Sequence, residues 1–556
     1  MKTKNKLTIF LAGLILVTFS SCSFLEEDPR SEFAGDYYKD AATLRSGVVG
    51  AYAKLRDLYV VGTNTPLFVT MLGTDECMYR GSNNVRASID RYIFTPTDGC
   101  IREYWAQYYD IIARSNAIIT QAPKINGLSE SDFNFCVGNA RFLRAYAYFR
   151  MVQTFGAIPL IDKQMEDFDY GIPRSPVKNV YALIISDLTD CVEHNLLTSE
   201  VLDGYANHWA AETLLGKVYL TMASAKAADR VAGYQDIELS INELYDKALK
   251  ALQDVKDNSG RDLLAVYGDV FQIENKNTNK ESLWEIQFSS EVPYGSQWSK
   301  EFGAYASGYD SQNLAGGWRS NGIAGQSTIN FVPNFRNYYN SDGYDKRRAW
   351  NLADSIVIFD KATNKPTAYR AITATSSRPP LGDITNANTI QFSGITKYRW
   401  GDDWRSESPF VYSNCPNNVI ALRFADVLLM YAEADLGKNG SVSTEGLAAI
   451  NRVVQRARGQ NVTEAETPGF PDYTDLTIDH LLMERARELC FEGHRWFDLA
   501  RTGKLEQFLD ERNNTPNSRA VTEFKSDRHY VFPIPLTEIQ ISTHSQGMYQ
   551  NPNYGN

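Results

Sequence analysis

Glu484-Arg485-Ala486-Arg487-Glu488-Leu489-Cys490-Phe491-Glu492-Gly493-His494-Arg495-Trp496-Phe497-Asp498-Leu499-Ala500-Arg501 is the densest mixture of charge and apolar bulk in the chain. Wound as one helix at about 100° per residue, it sorts into two sides. Leu482, Ala486, Leu489, Cys490, Trp496, Phe497 and Ala500 fall on one, and Glu484, Arg485, Glu488, Glu492 and Arg495 on the other. Phe491 and Leu499 lie among the charges, so a neighbour is expected to cover that side too. The acids pose a choice between chemistry and scaffold. A glycosidase needs two carboxylates flanking the scissile bond, one with a raised pKa. Acids on one stripe sit side by side instead, and Arg485 and Arg495 beside them favour the ionised form. The pattern predicts structural ion pairs, with Arg423, Glu433 and Arg456 likewise tying helices to one another.

Outward from this stretch, apolar residues recur at helical spacing. Helices are predicted over 40–59, 101–122, 131–155, 181–196, 208–228, 243–255, 419–437 and 443–459. Gly156 followed by Ile158-Pro159-Leu160 is a helix stop. Leu215-Gly216-Lys217-Val218-Tyr219 contains the L-G-x2-Y core of a tetratricopeptide helix. Between these helices, 64–99 reads as irregular, 281–288 as a strand, and 292–325 and 360–410 as loop and strand rich in Gly, Ser and aromatics. Loops of that length inside a folded protein are usually functional. The expected fold is mostly α, a tetratricopeptide-like helical-hairpin scaffold carrying a loop-rich, partly β ligand-binding region. Its expected divisions are 1–21, 22–39, 40–280, 281–418 and 419–556.

Hydrophobic content of 43% with 22% charged residues is that of a globular protein. Lys2, Lys4 and Lys6 precede the apolar run Leu7 to Phe19, too short to span a bilayer comfortably. Ser20-Ser21-Cys22 follows, an ending that resembles a bacterial lipoprotein signal and makes Cys22 the expected lipidated residue. Residues 23–29 then read as an acidic, extended tether. Loss of the signal takes the formal charge from -11 to -14, which argues against nucleic acid as a partner. Six further cysteines are scattered; Cys77 and Cys100 are the nearest pair in sequence, and Cys490 is expected buried and free. The six histidines show no H-E-x-x-H, and Gly-x-Ser-x-Gly and phosphate-loop patterns are absent. Neither enzyme activity, cofactor nor metal is expected.

Several motifs, taken in order, resemble the SusD/RagB family of Bacteroidetes outer-membrane lipoproteins. They are Cys22; Ala140-Arg141-Phe142-Leu143-Arg144-Ala145-Tyr146 leading to Phe155-Gly156-Ala157-Ile158-Pro159-Leu160; and Asn279-Lys280-Glu281-Ser282-Leu283-Trp284-Glu285-Ile286. Ser341-Asp342-Gly343, Asp345-Lys346-Arg347-Arg348 and Leu422-Arg423-Phe424-Ala425-Asp426 through Glu433-Ala434 follow. Asn451, Arg456-Ala457-Arg458-Gly459, the stretch quoted first, Pro533-Ile534-Pro535 with Glu538, and Gln550-Asn551-Pro552-Asn553-Tyr554 complete the series. The resemblance implies a cell-surface lipoprotein, held to the outer membrane by lipid, that captures glycans. It also implies a partner, a SusC-like TonB-dependent transporter over which the lipoprotein sits as a lid. Peptide or glycoprotein capture by the same arrangement is the alternative.

Ligand-binding residues vary within the family, so the candidates come from composition. The chain holds 32 Tyr, 27 Phe and 9 Trp. Sugar rings stack their C–H faces on aromatic rings while a few polar groups take the hydroxyls. Trp298, Tyr305, Tyr309, Trp318 and Arg319 lie in the Gly/Ser-rich segment, Tyr79, Arg80, Asn83 and Asn84 in the earlier loop, and Trp404 in the later one. Together they are the expected platform.

Overall fold

Eight helices form a stack in which each packs on the one before it. They are α1 (Ala41–Asp57), α2 (Gly99–Gln121), α3 (Glu130–Phe155), α4 (Val177–Glu193), α5 (His208–Ala228), α6 (Ile241–Asn258), α7 (Phe424–Asn439) and α8 (Thr444–Arg458). This is the tetratricopeptide-like arrangement, in the computed structural model of the chain. The structure describes residues 37–59, 64–79, 81, 84–165, 171–201, 204–305, 318–320, 324–325, 328–339, 344–353, 355–360, 366–371, 394–399, 414–459, 462–515, 519–542 and 548–555.

The helix starts are written in side chains. Asn207, Ser240 and Ser443 accept hydrogen bonds from first-turn amides of α5, α6 and α8, and Glu243 completes a capping box with Ser240. α3, α5 and α7 run through the interior, where alanines such as Ala140, Ala147, Ala211, Ala223, Ala425 and Ala432 are fully buried. The glycine of the tetratricopeptide motif marks a close approach. A Cβ at Gly216 would stand 2.8 Å from Leu252 Cγ on α6.

α6 and α7 pack together although residues 259–423 leave the stack between them. Two strands close that excursion. β2 (Ser282–Ile286) pairs antiparallel with β4 (Val419–Arg423), setting Ile286 opposite Val419 and Ser282 opposite Arg423. Exit and return therefore lie side by side. β1 (Cys77–Tyr79), ahead of the stack's second helix, pairs antiparallel with β3 (Ile329–Phe331) from the excursion.

The opening stretch is not one helix. α9 (Ile478–Leu489) stops at an extended Cys490, Phe491 and Gly493 take φ of 62° and 78°, and α10 (Arg495–Arg501) begins afresh. Gly493 allows the left-handed backbone at no steric cost. Phe491, which lacks that freedom, is held by its N–H donating to the buried Glu76 carboxyl. Both sides of α9 are interior: Glu484, Arg485 and Glu488 are at most 1% exposed. The six cysteines from Cys77 to Cys490 are all buried thiols, and no disulfide joins any two of them.

Candidate functional site

The ten expected platform residues do not share one environment. Tyr79 ends β1 and is 8% exposed. Its hydroxyl accepts from Asn84 Nδ2 at 2.6 Å, while Asn84 Oδ1 caps the short helix Val85–Arg91 through Arg86 N and Ala87 N. Arg519 donates to the carbonyls of Tyr79 and Gly81 from across the corner. Asn84 is thus a turn-holding residue, with both ends of its amide engaged. Arg80, Asn83, Tyr309 and Trp404 lie outside the described residues.

Trp298 offers no face to a ligand, contrary to expectation. It opens the short helix Trp298–Phe302, and its ring stacks on Phe302 with centroids 4.7 Å apart and planes 4° from parallel. Tyr398 stacks at 6.0 Å and Tyr59 meets it edge-on at 5.5 Å, leaving it 2% exposed. Burial of so large an apolar surface is worth more to the fold than an exposed stack would be. A cavity of about 40 Å³ beside it, lined also by Lys217, Glu492 and His494, has room for water and none for a sugar ring.

Tyr305, Trp318 and Arg319 are placed by their backbones. Ala304–Tyr305 pairs in parallel with Ala324–Gly325. Trp318–Ser320 forms the edge of a three-stranded antiparallel sheet with Ser355–Asp360 and Pro366–Ala371, pairing Trp318 with Asp360 and Arg319 with Phe359.

A second surface had no place in the expected platform. Val49, Tyr52, Arg56, Tyr205 and Gln287 line an open groove of about 200 Å³ where α1 meets the end of β2. Nearby, Tyr294 is 46% exposed with the Arg56 guanidinium 4.7 Å from its ring centroid. Partly exposed rings beside a cation and an amide are the chemistry a sugar site uses. Tyr294 lies in the aromatic segment the sequence singles out, but Tyr52 and Arg56 sit in helix α1, where apolar spacing reads Tyr52 as core.

The acids of α9 and of the turn that follows it are fixed as counter-ions. Glu488 accepts from Arg423 Nη1 at 2.6 Å, Arg347 Nη1 at 3.0 Å and Arg456 Nη2. Glu484 accepts from Arg347 at 2.6 Å, and Glu492 from Lys397 at 2.6 Å and Arg423 at 2.8 Å. Burial pushes the Glu488 carboxyl up, but Arg456, Arg423 and Arg347 together outweigh it and hold it far below the usual range. Burial likewise raises Glu484 and Glu492, and their cationic partners again prevail. Such acids cannot serve as proton donors. Burial, then the adjacent Lys217, pushes His494 down to about 3, leaving a neutral ring whose Nδ1 lies 3.0 Å from Lys217 Nζ. Glu433 meets Arg501, as a helix tie should.

Comparison with known proteins places this architecture. Residues 280–554 match the family model described as the SusD family, and residues 23–220 match one described as "starch-binding associating with outer membrane". The chain belongs to the SusD/RagB family. SusD-like protein P2 of Formosa agariphila is 26% identical over 567 residues, spanning 99% of this chain and all of that one. A SusD homolog from Bacteroides thetaiotaomicron shares the fold with a TM-score of 0.75 at 22% identity, covering 95% of this chain and 100% of the other. A protein described as a laminarin binding SusD-like protein superposes with a TM-score of 0.69 at 23% identity, covering 93% and 100%. The SusD fold thus accounts for the helical stack and for the excursion built upon it.

Proposed function

We propose that this SusD-family protein is a non-catalytic glycan-binding lipoprotein of the cell surface. Lipidated at Cys22, it captures oligo- or polysaccharide and passes it to a SusC-like TonB-dependent transporter in the outer membrane. The observation that carries this reading is family membership over nearly the whole chain, together with the laminarin-binding description of a protein of the same fold. The ionised, sequestered state of Glu484, Glu488 and Glu492 supports binding over hydrolysis. Within this reading, Trp318, Arg319 and Tyr305 on the excursion, and Tyr294 beside Arg56, are the groups proposed to meet sugar. Arg80, Asn83, Tyr309 and Trp404 remain proposed contacts of the same platform.

Affinity electrophoresis in gels containing laminarin, starch and other polysaccharides tests the binding, with peptide binding measured in parallel. Retardation in at least one glycan gel is expected, reduced when Trp318 and Tyr294 are changed to Ala. Binding of peptides with no glycan retarding the protein would overturn the glycan reading in favour of peptide capture. Co-purification of a large β-barrel through a tag on this chain tests the transporter partnership, and Cys22→Ala should release the protein from membranes.

A further inference from the structure

We propose that His208, Glu212 and Asp254 form a site for a divalent transition metal of the zinc class, clamping α5 to α6. His208 and Glu212 are four residues apart on α5 and so share one face; Asp254 stands on α6, which packs against it. One ligand atom from each of the three lies within 4.8 Å of the other two.

The His208–Glu212 spacing suits a metal. His208 Nε2 and Glu212 Oε2 are 3.2 Å apart. Bonds of about 2.0–2.1 Å to a tetrahedral zinc place neighbouring ligand atoms about 3.3 Å from one another. Glu212 is only 8% exposed, and its Oε2 is buried and makes no hydrogen bond, its contact with the His208 ring being an ion pair only when that ring is protonated. A buried carboxylate oxygen in that condition is costly unless a cation takes it.

The surroundings pre-set the ligands. Asn258 donates its amide to Asp254 Oδ1, fixing that carboxylate as outer-shell groups do in metal sites. Asn207 caps the ligand-bearing turn through Ala210 N and donates to Leu283 O of β2 at 3.4 Å, so His208 starts from a fixed backbone. One imidazole and two carboxylates favour zinc over calcium, whose sites are built from six or more oxygens, and three protein ligands leave a coordination position open. α6 ends at Asn258, where the chain leaves the stack. An ion here would fix the last turn of α6 at that exit.

The test uses the full mature chain stripped with a chelator. Calorimetric titration with Zn²⁺ should give one ion per chain and raise the melting temperature, and Co²⁺ should give visible d–d absorption. His208→Ala, Glu212→Gln and Asp254→Asn should each weaken Zn²⁺ binding at least tenfold and abolish the Co²⁺ band. Asp254→Asn, at a half-buried position, should keep the metal-free melting temperature and so serves if Glu212→Gln does not fold. Absence of Zn²⁺ binding, or binding unchanged in a folded variant, would overturn the proposal and leave His208 and Glu212 as an ion pair.

Discussion

Glu488 is the residue on which the interior charge balance turns. Three guanidinium groups converge on its carboxylate, all of them nearly inaccessible to solvent. Removing one partner of such a cluster strands the others, a loss of about 3–5 kcal/mol. Glu488→Ala should therefore lower the urea midpoint sharply, and added salt should rescue little because buried pairs are poorly screened. Trp298→Ala should cost about 3–5 kcal/mol of stability, as loss of a buried aromatic does. Trp318→Ala should leave the melting temperature near that of the parent while reducing glycan retention. Glu76 gives a pH signature. Burial pushes its carboxyl up to about 8, against which the Phe491 N–H and Arg495 act only partly. The native state then holds a proton that the unfolded chain, with an ordinary carboxyl near 4.5, has lost. The stability this contributes is full below about pH 4.5 and declines as pH rises to about 8. Melting temperatures measured between about pH 5 and 8 should fall further for the parent than for Glu76→Gln. The sequence disclosed that α9's acids were structural, since arginines share their stripe. It did not disclose Trp298's burial, because Gly- and Ser-rich surroundings read as surface whether or not another segment covers them.

At the scale of elements, most helices were legible because their apolar spacing and caps agree. The α9–α10 boundary was missed because the apolar spacing in the sequence runs on across it. Gly493 was the available signal. Gly138 tests how tightly the stack is built. A Cβ there would sit 2.7 Å from the Leu196 carbonyl oxygen, which is backbone and yields little. Alanine gains up to about 1 kcal/mol from helix propensity, whereas overpacking costs about 1–3 kcal/mol. Gly138→Ala should thus lower the melting temperature, and an increase would show that the segment around Leu196 gives way. The three proposed metal ligands were invisible for another reason. His208 and Glu212 show only a four-residue spacing, and Asp254 joins them through helix packing that no local pattern reports.

For the whole molecule, the ordered series of motifs across the chain made the family readable, whereas the proposed platform was not, since loop residues are placed by conformation rather than by period. The β2–β4 pair carries a consequence for how such proteins diversify. Because the excursion departs and returns through adjacent strands, its length can drift cheaply, each doubling of a flexible loop adding only about 0.6 kcal/mol of closure entropy. Its content is less free. Arg347 and Lys397, both from the excursion, join Arg423 of β4 in neutralising Glu484 and Glu488 on α9 and Glu492 in the turn after it. A recombinant exchange of this segment between relatives should cost stability unless the incoming segment delivers cations to those addresses. On the proposed function, ligand preference can evolve by swapping loops while heredity keeps this pair of charges, the fitting by which a new surface is bolted to an old frame.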